Sequence, residues 1–201
     1  MTGVIRPYRR EDLSALYEIC LKTGDNGADA THLYADLRII GEIYAAPYAT
    51  FEPAHAFVAE DETGAVAGYI LGTPDTRSFE ARCAADWWPA LRDRYGDTAD
   101  VPSERRTRDE WDAFHIHHPP AVPQPVVNAA PAHLHIDLLP QLQGRGVGRA
   151  LMDRWLDAVG GRAHLGCQPA NHRAQRFYER YGWRRLEGVG PKSVVWMTFG
   201  V

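Results

Sequence analysis

The spacing of apolar residues divides the chain into three stretches of different character. The first opens with Gly3 to Tyr8, a short strand ended by Arg6-Pro7. Glu11 to Lys22 follows, with Leu13, Leu16, Tyr17, Ile19 and Cys20 at helical spacing. Gly24-Asp25-Asn26-Gly27 marks a loop. Thr31 to Tyr44 predicts a second helix, with Leu33, Leu37, Ile40 and Tyr44 on one side and Pro47 as its stop. Ala56 to Glu60 and Val66 to Leu71 flank Asp61-Glu62-Thr63-Gly64 and predict two strands joined by a turn.

From Thr73 to Pro131 the pattern changes. Phe79 to Tyr95 reads as a helix with a Trp87-Trp88 pair, and Ser103 to Phe114 as another with Ser103 as its N-cap. His115-Ile116-His117-His118-Pro119-Pro120 and Pro123, Pro125 and Pro131 then read as a connection. Residues 74–131 are expected to form an insertion, because the strands on either side still need each other to close a sheet; Trp87, Trp88 and Trp111 would give it a small core of its own. Order returns with a strand over Ala132 to Leu139 and a helix over Arg149 to Val159. A strand over Arg162 to Gln168, a helix over Asn171 to Arg180, and closing strands at Trp183 to Leu186 and Ser193 to Phe199 complete the chain. The expected architecture is one α/β (α+β) domain over residues 1–201, with a mixed, mostly antiparallel central sheet and helices on both faces.

Composition narrows the function. With 45% hydrophobic and 24% charged residues the chain reads as ordinary globular protein. A net charge of −4 offers no global basic field to recruit nucleic acid or an anionic membrane. Three scattered cysteines, Cys20, Cys83 and Cys167, fit a reducing, cytoplasmic setting and no disulfide framework. No apolar run reaches the length of a membrane span, and His115, His117 and His118 lack the companions of a metal site.

The chemistry concentrates at Gln143-Gly144-Arg145-Gly146-Val147-Gly148, between a strand and a helix. Such a turn leaves unpaired N–H groups at the positive end of a helix, a ready anion site, and glycine lets phosphate oxygens approach the backbone. Arg149 stands where a dinucleotide fingerprint would have its third glycine, and no Gly-Lys-Ser/Thr follows, so neither common nucleotide loop is present. A second motif lies downstream: Asn171, Ala174, Phe177-Tyr178, then Tyr181-Gly182-Trp183.

Together the two motifs resemble those of the GNAT superfamily of N-acetyltransferases, Q/R-x-x-G-x-G/A and N-x-x-A-x-x-F-Y-x-x-x-G-F, with Trp183 in the last aromatic place. More narrowly, the chain is similar to the acetyltransferase-like C-terminal domain of O-GlcNAcase and its free-standing bacterial relatives. The resemblance implies acetyl-CoA as donor. Gln143, Gly144, Arg145, Gly146, Val147, Gly148 and Arg149 would bind its pyrophosphate, aided by Arg173, and the backbone of Leu138 and Leu139 would pair with the pantetheine arm. Asn171 would hydrogen-bond that arm, and Tyr178 would sit near the sulfur and protonate the leaving thiolate.

Direct transfer to an amine also needs a group to take the acceptor's proton. His133, His135 and Asp137 alternate along one strand and share a face, so any of the three could do so. Asp25, for a cationic acceptor, and His117 are candidate acceptor contacts. The expected function is an acetyl-CoA-dependent N-acetyltransferase acting on a small-molecule primary amine, as a monomer or homodimer. A protein or peptide lysine is the rival acceptor, and a non-catalytic acyl-CoA-binding domain the rival class.

Overall fold

In a computed structural model, which describes residues 4–201, seven strands form one sheet in the order β1-β2-β3-β4-β5-β7-β6. They are β1 (Ile5–Pro7), β2 (Ala56–Glu60), β3 (Val66–Thr73), β4 (Ala132–Leu138), β5 (Ala163–Cys167), β6 (Arg184–Arg185) and β7 (Val195–Phe199). All neighbours are antiparallel except β4 and β5. Gly3, expected at the start of the first strand, lies outside the described residues.

The sheet separates two cores. On one face β4 presents Ala132 and Leu134 to α8 (Val147–Val159), whose apolar stripe of Val147, Leu151, Met152, Trp155 and Leu156 is buried there. Helix α9 (His172–Tyr181) adds Tyr178 to the same cluster. Trp155 lies so close to the sheet that a Cβ on Gly72 would fall onto its ring and onto the His133 carbonyl. The other face is covered by α1 (Leu13–Thr23), α2 (Ile39–Tyr44) and α3 (Ala46–Phe51), and by helices of the insertion.

The insertion is wound into this second core, contrary to the expectation of a separate one. Phe79 of α4 (Thr76–Arg82), Cys83, Trp88 and Leu91 of α5 (Trp88–Arg92), and Ala113 and Ile116 of α6 (Arg108–His117) share one cluster with Leu16, Ile19, Tyr48 and Tyr69. A single turn of π-helix, Cys83–Trp87, joins α4 to α5. The Trp87 indole donates to the Glu42 carbonyl at 2.8 Å, while Trp111 stays near the surface under the Arg106 guanidinium.

Other departures have local causes. The helix expected over Thr31 to Tyr44 is broken, because the Asp109 carboxylate of α6 takes the amides of Ala35 and Asp36 at 2.9 and 2.7 Å and pins a turn there. Pro47 opens α3 rather than ending α2, using the first turn of a helix where its missing N–H is harmless. Helix α6 starts after Thr107, which forms a capping box with Glu110, and not at Ser103. His115 and His117 therefore lie in its last turn. A further short helix, α7 (Gln124–Ala129), occupies part of the proline-rich connection.

Candidate active site

Strands β4 and β5 are paired only at Ala132–Ala163 and His133–His164, and beyond this they part. Leu139, just past β4, has both backbone groups engaged: its N–H donates to the Ala67 carbonyl at 2.8 Å, and its C=O accepts from Leu142 at 3.0 Å. By the alternation of a strand, the groups left facing the gap are those of Ile136 and Leu138. The Leu138 carbonyl accepts one bond, from Gln143 Nε2 at 2.7 Å, and keeps a second lone pair. The expectation that Leu139 pairs alongside Leu138 is corrected on this point.

At the foot of the gap the chain turns into α8. Gly144 and Gly146 have φ of 72° and 80°, conformations that cost an L-residue energy, and a Cβ on either would meet open space. The reason for glycine there is backbone conformation and ligand approach, and not internal packing. Among the described residues, the amides of Gly144, Arg145, Gly146, Val147, Gly148 and Arg149 have no protein acceptor, and Ala150 is the first to bond back, to Gly146. Six consecutive free donors at the N-terminus of a thirteen-residue helix make an anion cradle. Arg173 donates to Gln143 Oε1 at 2.6 Å and so supports the turn from α9. Arg145 pairs with Glu62 at 2.7 Å on the surface, and Arg149 lies over the Tyr181 ring.

Asn171 caps α9, its Oδ1 accepting from the Ala174 amide at 3.0 Å, which leaves its Nδ2 as a donor. One face of α9 then buries Tyr178 against Phe177 and Trp183. Burial, reinforced by Cys167 and Asp137, raises the Tyr178 pKa, so the phenol keeps its proton at neutral pH. Its hydroxyl has no protein partner among the described residues.

On the opposite face, His133, His135 and Asp137 point together towards α1, α2 and α3. One assignment of protons satisfies every contact of the histidines. The Thr76 hydroxyl donates to the Pro131 carbonyl at 2.6 Å and accepts from His133 Nδ1 at 2.7 Å. His133 Nε2 must then accept from the Tyr48 hydroxyl, also at 2.7 Å, and Tyr48 accepts from His135 Nε2 at 3.2 Å. Both nitrogens of His133 are occupied, and burial, with His164 and His135 nearby, pushes its pKa far down. His133 is thus a structural strut and drops out as a base. His135 keeps a free Nδ1, but burial lowers its pKa to about 4. Asp137 accepts from the Tyr69 hydroxyl at 2.7 Å, and burial raises its pKa above the usual carboxylate range. It is the last of the three along β4, where the gap is widest, and close enough to Tyr178 to bear on it electrostatically.

His135, Asp137 and Tyr44 are each only partly buried. The Tyr44 ring stands edge-on to His135 at 5.7 Å. Asp25 is half-buried just past α1, its backbone closing a turn with Ala28. His117 faces elsewhere: its Nε2 lies 2.7 Å from the Tyr95 carbonyl and its Nδ1 is turned to Asp97, so the ring ties the insertion together. Tyr44, Tyr48, Tyr69 and Thr76 escaped sequence reasoning, since each comes from a different element and none belongs to a motif.

The sequence matches the acetyltransferase (GNAT) family over residues 29–183. The chain belongs to that family. Its class is therefore acyltransferase and its acetyl donor acetyl-CoA. It is similar to O-GlcNAcase of rat (Rattus norvegicus) and of mouse (Mus musculus), each 26% identical over 199 residues. The match takes in 95% of this chain and 21% of the rat protein, so the chain spans about one fifth of the length of these curated relatives. Among solved structures it is similar to SsHAT, at 38% identity, 98% coverage of both chains and a TM-score of 0.88. The phosphinothricin acetyltransferase of Sinorhizobium meliloti, solved with AcCoA, shares the fold at 16% identity and a TM-score of 0.54, over 98% of this chain and 88% of that one. Among the described residues, no helix is long and apolar enough to cross a membrane and no cluster of ligating side chains could hold a metal ion.

Proposed function

We propose that this acetyltransferase acylates the primary amine of a small molecule by direct attack, the donor entering from the α8 side and the acceptor from the α1 side. The observation that carries this is the placement of Asp137 and Tyr178 on opposite faces of the sheet at the gap between β4 and β5, with the acceptor face roofed by the insertion. A face covered by the insertion suits a small amine better than a peptide tail.

In this reading the free amides of residues 144–149 hold the pyrophosphate, and the gap-side groups of Ile136 and Leu138 pair with the pantetheine as an added strand would. Asn171 Nδ2 donates to that arm. Asp137 takes a proton from the bound ammonium; its raised pKa brings it nearer to that task than an ordinary carboxylate. The neutral amine attacks the thioester carbonyl, the C–N bond forms and the C–S bond breaks. Tyr178, still protonated, hydrogen-bonds the charge growing on sulfur and gives its proton to the departing thiolate; the second proton, shed by nitrogen as the amide forms, restores the phenol, and Asp137 passes the first to solvent.

Thiol release from acetyl-CoA with a panel of small amines and lysine peptides tests this. Turnover should require a small amine. Tyr178→Phe should cut kcat about 100-fold while the Kd for acetyl-CoA stays within twofold. Equal loss of binding and turnover removes Tyr178 as the acid. Acetylation of peptides alone overturns the small-molecule reading, and binding of acetyl-CoA without any turnover points to a sensor.

A further inference from the structure

Three histidines stand side by side on the acceptor face of the sheet: His133 and His135 on β4, and His164 on β5 in register with His133. They use their ring nitrogens differently. His133 has both engaged, by Thr76 and by Tyr48. His164 gives its Nδ1–H to the Ala130 carbonyl at 2.6 Å, and its Nε2 is sealed in the core without a partner. His135 has Nε2 engaged by Tyr48, whereas its Nδ1 has no protein partner among the described residues and is not sealed. Of these nitrogens, Nδ1 of His135 is the one both unspent and open to a ligand.

The protonation of that nitrogen is decided some distance away. The Pro131 carbonyl has no proton to give and lies 2.6 Å from the Thr76 hydroxyl, so the hydroxyl proton goes there. Every later link then points the same way: His135 Nε2–H to Tyr48, Tyr48 O–H to His133, and His133 Nδ1–H to Thr76. Reversing one link would set two protons or two lone pairs against each other. Tyr48 and Thr76 are buried, Tyr48 stacked on Phe79 at 4.3 Å, so water does not compete for the bonds. His135 Nδ1 is left as a bare lone pair. Burial opposes a charge on the ring and lowers its pKa to about 4, so the ring stays neutral at pH 7.

We propose that this run of hydrogen bonds holds His135 as a fixed hydrogen-bond acceptor for the amine substrate, taking an O–H or N–H that the substrate carries besides the nitrogen to be acylated. His135 is then a binding residue, and Tyr48, His133 and Thr76 are positioning residues that act through it. The binding role rests on the small-molecule reading above; the proton order does not. His135 and Asp137 lie two residues apart on one face of β4, about 7 Å along the strand. The second donor therefore sits a few bonds from the reacting amine. An amine with a hydroxyl or a further N–H at that distance is preferred to a plain alkylamine of equal length. Thr76 stands on α4, so the insertion sets the state of a ring it does not touch.

Nitrogen NMR of histidine-labelled protein reads the proton order without any ligand, because a bare ring nitrogen resonates far downfield of a protonated one. Signals lost in His135→Gln assign the ring. In wild type at pH 7, His135 should be protonated at Nε2 and bare at Nδ1. Thr76→Val removes the hydroxyl that sets the order and should move the His135 proton to Nδ1; Thr76→Ser, which keeps a hydroxyl, should retain the wild-type pattern. Protonation of Nδ1 in wild type, or a His135 tautomer unmoved in Thr76→Val, would overturn the ordering. Turnover with acetyl-CoA tests the binding role. The best of a series of straight-chain amino alcohols should exceed both its methyl ether and its alkylamine counterpart, which lack the O–H, by about tenfold in kcat/KM. His135→Phe and Thr76→Val should bring that ratio to within about twofold, through KM rather than kcat. A ratio near one in wild type would overturn the binding role and leave the small-molecule reading standing. Neither binding nor turnover of any small amine would overturn both together.

Discussion

In the mechanism proposed above, the donor side and the acceptor side are built by different means. The donor side would take most of its chemistry from main chain, six free amides and the gap-side groups of β4, within residues 136–149, with Asn171 and Tyr178 as its two side chains. The acceptor side would take its chemistry from side chains on α2, α3, β3, α4 and β4, from Tyr44 to Asp137. Main-chain chemistry is tolerant of side-chain change and recurs wherever the turn recurs. Side-chain chemistry can be replaced one residue at a time. A fold of this kind can therefore keep one donor and exchange acceptors.

The sharpest way to break this contrast is to disable each side once. Asp137→Asn should lower kcat about 1,000-fold and leave the Kd for acetyl-CoA within twofold. It should also abolish the acid limb of the kcat/KM profile, which in wild type falls as pH drops through the raised pKa of Asp137. Gly146→Val should do the reverse, since a β-branched residue at φ of 80° is strained and shields the amides: Kd up by about 30-fold or more, with less effect on the chemical step. Calorimetry and single-turnover rates separate the two. If both variants lose binding and rate together, the sides are not independent.

The insertion offers the next test. A detachable lid would tolerate truncation of Ile116 with little change in unfolding free energy. Because Ile116 is fully buried in the cluster that includes Leu16 and Tyr69, Ile116→Ala should cost about 2–5 kcal/mol by denaturant unfolding. A loss below about 1 kcal/mol would mean that the insertion folds apart from the core.

Buried ionisable groups on this face of the sheet give a subtler signature. His135, with a folded pKa of about 4 against 6.5, takes up protons more readily when unfolded, so it removes stability as pH falls from 6.5 towards 4. Asp112, at about 7 against 3.8, holds its proton better when folded, so its effect is opposite: stability is lost as pH rises towards 7. The windows overlap, and wild type should show a shallow melting profile between them. His135→Gln should leave the Asp112 slope and be relatively more stable towards acid, while Asp112→Asn should leave the histidine slope and be less so. Parallel profiles for all three proteins would contradict these assignments.

What could be read beforehand follows the same division. The glycines, Asn171 and Tyr178 stand at fixed offsets inside one strand–helix–strand–helix run, so short-range order in the sequence carries their relation. The shared face of His133, His135 and Asp137 was legible from alternation, but their ranking was not. What demotes His133 is contact with Thr76 and Tyr48, 57 and 85 residues away in sequence. Asp112 gave no signal, because its burial depends on α6 packing into a core whose other members begin at Leu16. The break after Leu33 was hidden for a similar reason: the group that pins it, Asp109, lies in the insertion.

Asn171 is the smallest expected effect and the one where binding of the donor, as distinct from chemistry at its sulfur, depends on a side chain. Its Oδ1 is spent on the cap of α9, and only Nδ2 remains for the donor. The two roles can be divided. Asn171→Ala loses both, and should cost about 1 kcal/mol of stability along with several-fold in acetyl-CoA affinity. Asn171→Asp keeps a capping oxygen and loses the amide donor, so stability should return while affinity does not. Recovery of affinity in the aspartate variant would show that the cap, by fixing the start of α9 and hence Tyr178, is all that Asn171 contributes. Main-chain geometry would then account for donor binding, and Tyr178 alone for the chemistry at its sulfur.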